Sequence, residues 1–268
     1  MNKVYDFSWV GSQKTFVDTI SVDQFGRVVV GRYGGNSSAG QYKNEDGCLL
    51  LIDERQDWEF VILLDAHNSA ESAELIVQTF ERRKNEINEC LTLQPDQAFI
   101  SLEKMVLNLF RSTEFMDECS KVKGETACLI AARKGRYCWW FSVGDCILYL
   151  HHPELTAFGQ HQLNQRQFYE WIGQVNTFEM PVPCYSTGRK ELRQGINHLL
   201  LTTDGLIECP GERFSNPQDI FRVFSKSSNG ESVETLLKGI QENNVRDSTT
   251  IVSWMVDVTE KATLASNQ

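Results

Sequence analysis

Apolar residues fall along this chain in two periods. Runs rich in β-branched and aromatic residues, bounded by turn formers, predict strands at Arg27–Arg32, Cys48–Ile52, Phe60–Asp65, Thr126–Arg133, Arg136–Val143, Ile147–His151, His198–Thr203 and Thr250–Val258. Between them, "ESAELIVQTFERRKNEINECL", "PDQAFISLEKMVLNLFRSTEF" and "SVETLLKGIQENN" space apolar residues as an amphipathic helix does; in the second, Phe99, Leu102, Met105, Val106, Leu109 and Phe110 share one face. Lys134-Gly135 and Gly144-Asp145 join successive strands with hairpin-length turns, which predicts an antiparallel meander. The two long helical stretches follow Asp65 as a block and do not alternate with strands, so a doubly wound parallel sheet is disfavoured. An α+β layered fold, antiparallel sheet covered by helices, is the expectation, with the glycine-rich stretch 32–47 as a loop inside it.

Composition narrows the function classes. A formal charge of −10 over 268 residues leaves no excess of cations for phosphate backbones, and no cluster of Lys and Arg interleaves with aromatics, so nucleic acid is not an expected partner. No apolar run approaches the roughly 18 residues of a membrane span, and the first residues do not read as a signal peptide; a soluble, cytoplasmic protein is expected. The 8 cysteines, Cys48, Cys90, Cys119, Cys128, Cys138, Cys146, Cys184 and Cys209, never fall into metal-ligand spacing and several stand for apolar residues in strands. They read as core thiols of a reducing compartment.

The candidate chemistry lies where strands end. In "FVILLDAHNSAES", residues 60–72, an apolar run stops at Asp65, with His67 one residue beyond Ala66. The same grammar recurs in "KNEDGCLLL" (Glu45, Asp46), "HLLLTTDGLIE" (Asp204) and "VRDSTTIVSWMV" (Asp247). A single strand-end Asp is usually a turn former. Four such sites, with only Lys43 and Arg246 as basic residues in the same turns, suggest carboxylates gathered around hard cations with oxygen ligation, Mg or Mn. The glycine-rich "RYGGNSSAG" fits neither common nucleotide-phosphate loop.

These residues resemble the metal-dependent protein phosphatases of the protein phosphatase 2C (PPM) family, bacterial type. The motifs run in family order through "NEDG", "VILLDAH", "GETACL", "FSVGDCILYL", "LLLTTDGLIE" and "RDSTTIVSW". The resemblance implies a four-layer α-β-β-α sandwich with two central antiparallel sheets, one domain over 1–268, and a variable flap at about 153–195. It implies a site for two Mn2+ or Mg2+ ions: Asp65 bridging, the Ala66 carbonyl contributing, Asp204 and Asp247 on one ion, Glu45 with Asp46 on the other, and Asp145 at a third, weaker ion. His67 matches the family's general acid, which would protonate the leaving serine or threonine alkoxide while hydroxide held between the metals attacks phosphorus. The implied partner is a phosphorylated protein, and a monomer is expected.

Departures from the pattern set the rival expectation. Where the family has a phosphate-binding arginine, this chain has Gln41, leaving Lys43 or Arg32 as candidates for that contact. "DAHNSAES" lacks the glycine pair that usually follows the histidine, so Asn68 or Ser69 is expected to cap the next helix. The leading expectation is an active serine/threonine phosphatase; the alternative is a weak or inactive member that binds a phosphoprotein and regulates it. Phe168, Tyr169 and Trp171 are expected to pack the flap onto the body, and His151, His152, His161 and His198 to be structural.

Overall fold

The computed structural model describes residues 3–264 and 266. Two antiparallel sheets stack face to face with helices on both outer sides, the expected α-β-β-α arrangement. Sheet A holds β1 (Val4–Val10), β4 (Gly47–Asp53), β5 (Trp58–His67), β6 (Glu125–Lys134), β7 (Tyr137–Val143) and β10 (Ser186–Glu191) in that order, with β9 (Ile172–Gly173) beside β6. Sheet B runs β2 (Ile20–Phe25), β3 (Val28–Tyr33), β12 (Thr249–Val258), β11 (Gly195–Thr202), β8 (Ile147–His151). Helices α1 (Glu71–Arg82), α2 (Lys84–Thr92), α3 (Pro95–Phe110) and α4 (Thr113–Cys119) cover sheet A; after the short α5 (Pro153–Ala157), α6 (Pro217–Phe224) and α7 (Asn229–Glu242) cover sheet B.

Three apolar layers follow from the period of two. In β5, Phe60, Ile62, Leu64 and Ala66 face the helices, while Val61 and Leu63 face the other sheet. Both faces of the strand are buried, which is why it reads as an unbroken apolar run instead of alternating. By the same parity Asp65 lies on the inter-sheet face, two residues past Leu63. On β4, Cys48, Leu50 and Ile52 face between the sheets, so Asp46 approaches that face as well.

The structure revises several expectations. The first two helical stretches each split in two, at Arg83 and at Arg111–Ser112. Neither Asn68 nor Ser69 caps α1: its N-cap is Ala70, with no side-chain cap, and Ser69 Oγ makes only a local contact, accepting from the Glu71 amide at 3.2 Å. Strands β1 and β2 escaped the sequence reading because polar residues interrupt them and their partly exposed positions blur the alternation. Within 153–195, Ser186–Glu191 forms the edge strand of sheet A, paired with β7. The predicted meander ends after β7: β6 and β7 form a hairpin, but β8 pairs with β11 in the other sheet. Gly144-Asp145 is therefore a crossing between sheets. Gly144 takes φ +85, and a Cβ there would lie 2.5 Å from the Ala127 Cβ, so the crossing needs glycine for both conformation and space. Six cysteines are buried as expected, Cys90 is half-buried, and Cys184 is exposed, contrary to the core-thiol expectation. No helix among the described residues is long and apolar enough to cross a membrane.

Candidate metal centre

The sheet crossing turns five separate turns into one site. Asp46 precedes β4, Asp65 lies near the end of β5, Asp145 sits in the crossing from sheet A to sheet B, Asp204 follows β11 and Asp247 precedes β12. Gly205 makes the last approach possible, since a Cβ there would stand 2.4 Å from the Ser248 carbonyl oxygen. Carboxylate oxygens of Asp65, Asp145 and Asp204 come within 4.8 Å of one another.

The carboxylates are not equivalent. Asp46, fully enclosed, is held by hydroxyls: Ser248 Oγ donates to Oδ1 at 2.7 Å, and Thr250 Oγ1 and Thr203 Oγ1 donate to Oδ2 at 2.7 and 3.3 Å. Three of its roughly four acceptor positions are thus in use. Asp65 Oδ2, Asp145 Oδ1 and Asp204 Oδ1 are buried and accept no hydrogen bond among the described residues. Buried carboxylate oxygens without donors are costly unless a cation meets them. The donor set is hard oxygen throughout, so these residues fit Mg2+ or Mn2+.

Electrostatics point the same way. Burial, then the charges of Asp204, Asp46, Asp247 and Asp145, push Asp65 well above the usual carboxylate range. Asp204 is raised to about 7 by burial and by its Asp247 and Asp145 neighbours. Burial also raises Asp46 to about 7, against the lowering effect of its hydroxyl donors. Asp247 keeps an exposed outer face, yet the protein crowded around its inner face and the Asp46 charge raise it to about 6. Without a cation the cluster would hold protons that divalent ions would displace.

Around this core the remaining candidates divide. Lys43 Nζ bridges Glu45 Oε1 at 2.7 Å and the Asn68 carbonyl at 3.0 Å, which places it beside the His67 end of β5. His67 stands edge-on to Trp171, ring centroids 4.8 Å apart. Trp171 therefore touches the candidate acid, where the sequence suggested only packing, while Phe168 and Tyr169 are exposed. Gln41 packs against Gly35, whose added Cβ would meet Gln41 Cγ at 2.8 Å. Arg32 is not brought to the carboxylates: its guanidinium bonds Asp23 and Ser21 Oγ and lies 4.7 to 5.3 Å over the rings of Phe16, Trp9 and Phe7. Its position at a strand beside the glycine-rich loop could not disclose that an aromatic box would take it first.

One residue at the site had no signal in the sequence. Arg166, from the segment after α5, places Nη2 3.4 Å from Asp145 Oδ2, 3.8 Å from Asp204 Oδ2 and 2.7 Å from Glu208 Oε1. Neither spacing nor periodicity around "NQRQF" marks it.

Solved structures share this architecture at low sequence identity. A bacterial serine phosphatase carrying an arginine-to-alanine substitution matches with TM-score 0.59 and 14% identity, over 96% of this chain and 99% of that one. RsbX in complex with magnesium matches with TM-score 0.55 and 15% identity, over 89% and 100% of the two chains. The catalytic domain of the serine/threonine protein phosphatase PstP in complex with 2 manganese ions matches with TM-score 0.53 and 14% identity, over 96% and 99%. At such identities the likeness establishes the fold alone. No curated protein sequence matches the chain significantly. The profile of the family described as "Protein phosphatase 2C" matches residues 40–243, which takes in the Glu45-Asp46, Asp65, Asp145 and Asp204 turns and stops short of Asp247. With most of its length matched, and its strand-end carboxylates gathered at one end of the two-sheet sandwich, the chain belongs to the protein phosphatase 2C family.

Proposed function

We propose that the chain is a metal-dependent phosphoserine/phosphothreonine protein phosphatase acting with two Mn2+ or Mg2+ ions. The observation that carries this reading is the set of donorless buried oxygens on Asp65, Asp145 and Asp204 in a member of a phosphatase family. When bound, such ions supply a nucleophile at neutral pH and neutralise phosphate oxygens. Asp65 and the Ala66 carbonyl, Asp204 and Asp247, and Glu45 are the residues that would hold the two ions. Asp46, with about one acceptor position left, would contribute beside Glu45, directly or through water. Its three hydroxyl donors fix its orientation, the role an outer layer of hydrogen bonds has in other metal sites.

His67 donates the proton that the leaving alkoxide needs, and Trp171 limits the swing of its ring. Lys43 offers a point charge near the same edge in place of the absent arginine, without that residue's bidentate geometry. The unpaired cysteines support a reducing, cytoplasmic setting.

A second reading keeps the fold and loses turnover: a phosphoprotein-binding regulator. It is favoured by Gln41 standing where the family has arginine and by Arg32 being engaged elsewhere. Manganese-dependent hydrolysis of a phosphothreonine peptide separates the two. Wild type should turn over, and Asp204→Ala should lose at least about a thousandfold in kcat/KM. Binding of the peptide with no metal-dependent turnover above the variant would establish the regulator instead.

A further inference from the structure

We propose that Arg166 is a built-in cation of this site, filling the place on its Asp145 side that a further divalent ion would take and so limiting the centre to two ions. The inference rests on the metal-site reading above. Its first support is a division of labour between oxygens. Asp145 and Asp204 each turn Oδ2 toward the Arg166 guanidinium, and each leaves Oδ1 buried without a donor. One oxygen of each carboxylate thus faces a cation supplied by the chain, and Oδ1 of Asp204 is left for one of the two ions. Glu208 completes the ring of anions around the same nitrogen at 2.7 Å. Among the described residues no other basic side chain contacts Asp145 or Asp204.

The second support is that the backbone on both sides of Arg166 is tied to the sheet crossing that carries Asp145. The Leu163 amide donates to the Leu148 carbonyl at 2.9 Å, and the Gln167 amide to the Gly144 carbonyl at 2.9 Å. Asn164, buried, accepts from the Leu148 amide at 2.8 Å and donates to the Cys146 carbonyl at 2.7 Å and to Ser142 Oγ at 3.0 Å. The guanidinium lies 4.8 Å over the Phe168 ring, which restricts its other face. Arginine stays charged at any working pH, so it cannot make room for a metal by losing a proton; it would have to leave.

Counting Mn2+ bound per chain, by titration calorimetry and by electron paramagnetic resonance of free Mn2+, tests this without reference to turnover. Wild type should bind about two ions. Arg166→Ala and Arg166→Gln should each bind about one more, or bind their weakest ion roughly tenfold more tightly, and adding Asp145→Asn should abolish the gain. Arg166→Lys should keep the wild-type count. Equal number and affinity in wild type and in both neutral variants would overturn the role given to Arg166 while leaving the metal site intact. A wild type that binds no Mn2+ would instead remove the metal reading, and this inference with it. Melting curves of the metal-free variants confirm that each is folded before counting.

Discussion

The β5–β6 ladder carries buried charge at both ends, and the ends are built on opposite terms. At one end Glu59 and Arg133, paired across the strands, are almost fully buried and satisfy each other through a two-pronged contact, with the carbonyls of Asp57 and Gly135 taking a further guanidinium nitrogen. At the other end Asp65, opposite Ala127, meets further carboxylates and no cation of its own. A paired buried charge is satisfied within the protein, whereas Asp65, which Arg166 does not reach, requires a cation from outside. The contrast distinguishes a structural ion pair from a ligand site more sharply than burial does.

Breaking the closed end should have the largest effect on the fold. Glu59→Ala leaves the Arg133 guanidinium buried and short of its main partner, and chemical denaturation should show a loss of about 3–5 kcal/mol. The open end should respond in the opposite sense: in metal-free protein, at a pH high enough to ionise the cluster, Asp65→Asn removes a buried charge that its neighbours repel and should stabilise by about 1–2 kcal/mol, an advantage that added Mn2+ reverses. A loss of stability in the metal-free variant would show that the Asp65 charge is compensated by the fold.

Next in size is the proton donor. His67→Ala should slow a phosphothreonine peptide by roughly a hundredfold and an aryl phosphate by less than about tenfold, since a phenolate leaves with little help. Equal losses on both substrates would withdraw the acid role and leave His67 and Trp171 as packing.

The pH dependence of the metal-free fold sharpens the comparison further. Asp46 and Asp204 sit at about 7 when folded, against about 3.9 for an unfolded aspartate. The folded state holds their protons more tightly. The stability they contribute is therefore present in full below about pH 4 and is lost as pH rises toward about 7. Saturating Mn2+ should flatten that slope, and Glu59→Ala should leave it unchanged. The smallest effect expected is a gain: Gln41→Arg should improve kcat/KM for the phosphopeptide by about tenfold through a charge-assisted contact to phosphate. No change would mean that Lys43 already supplies the needed charge.

Much of the fold was legible because both faces of its central strands are buried. Continuous apolar runs located β3 to β8, β11 and β12, and the 3.6 period located most of the helical cover of sheet A and α7 on sheet B. The carboxylate turns were legible for the same reason, each being the polar stop at the end of such a run. Edge strands β1, β2 and β10 were not, because half-exposed positions carry a weaker pattern. Helix α6, only Pro217–Phe224, was too short to stand out by period.

Which side chains could hold a cation is written in the chain, since donor type and strand-end position are local properties. Which of them meet, and what else they meet, depends on how the two sheets pack. The turn at Gly144-Asp145 reads as a hairpin, and it becomes part of the site because its flanking strands join different sheets. Arg32 and Arg166 are both arginines near loops; packing closes the first in an aromatic box and ties the second to the carboxylates. Charges interact through distance and dielectric, and both are set by residues far away in the chain.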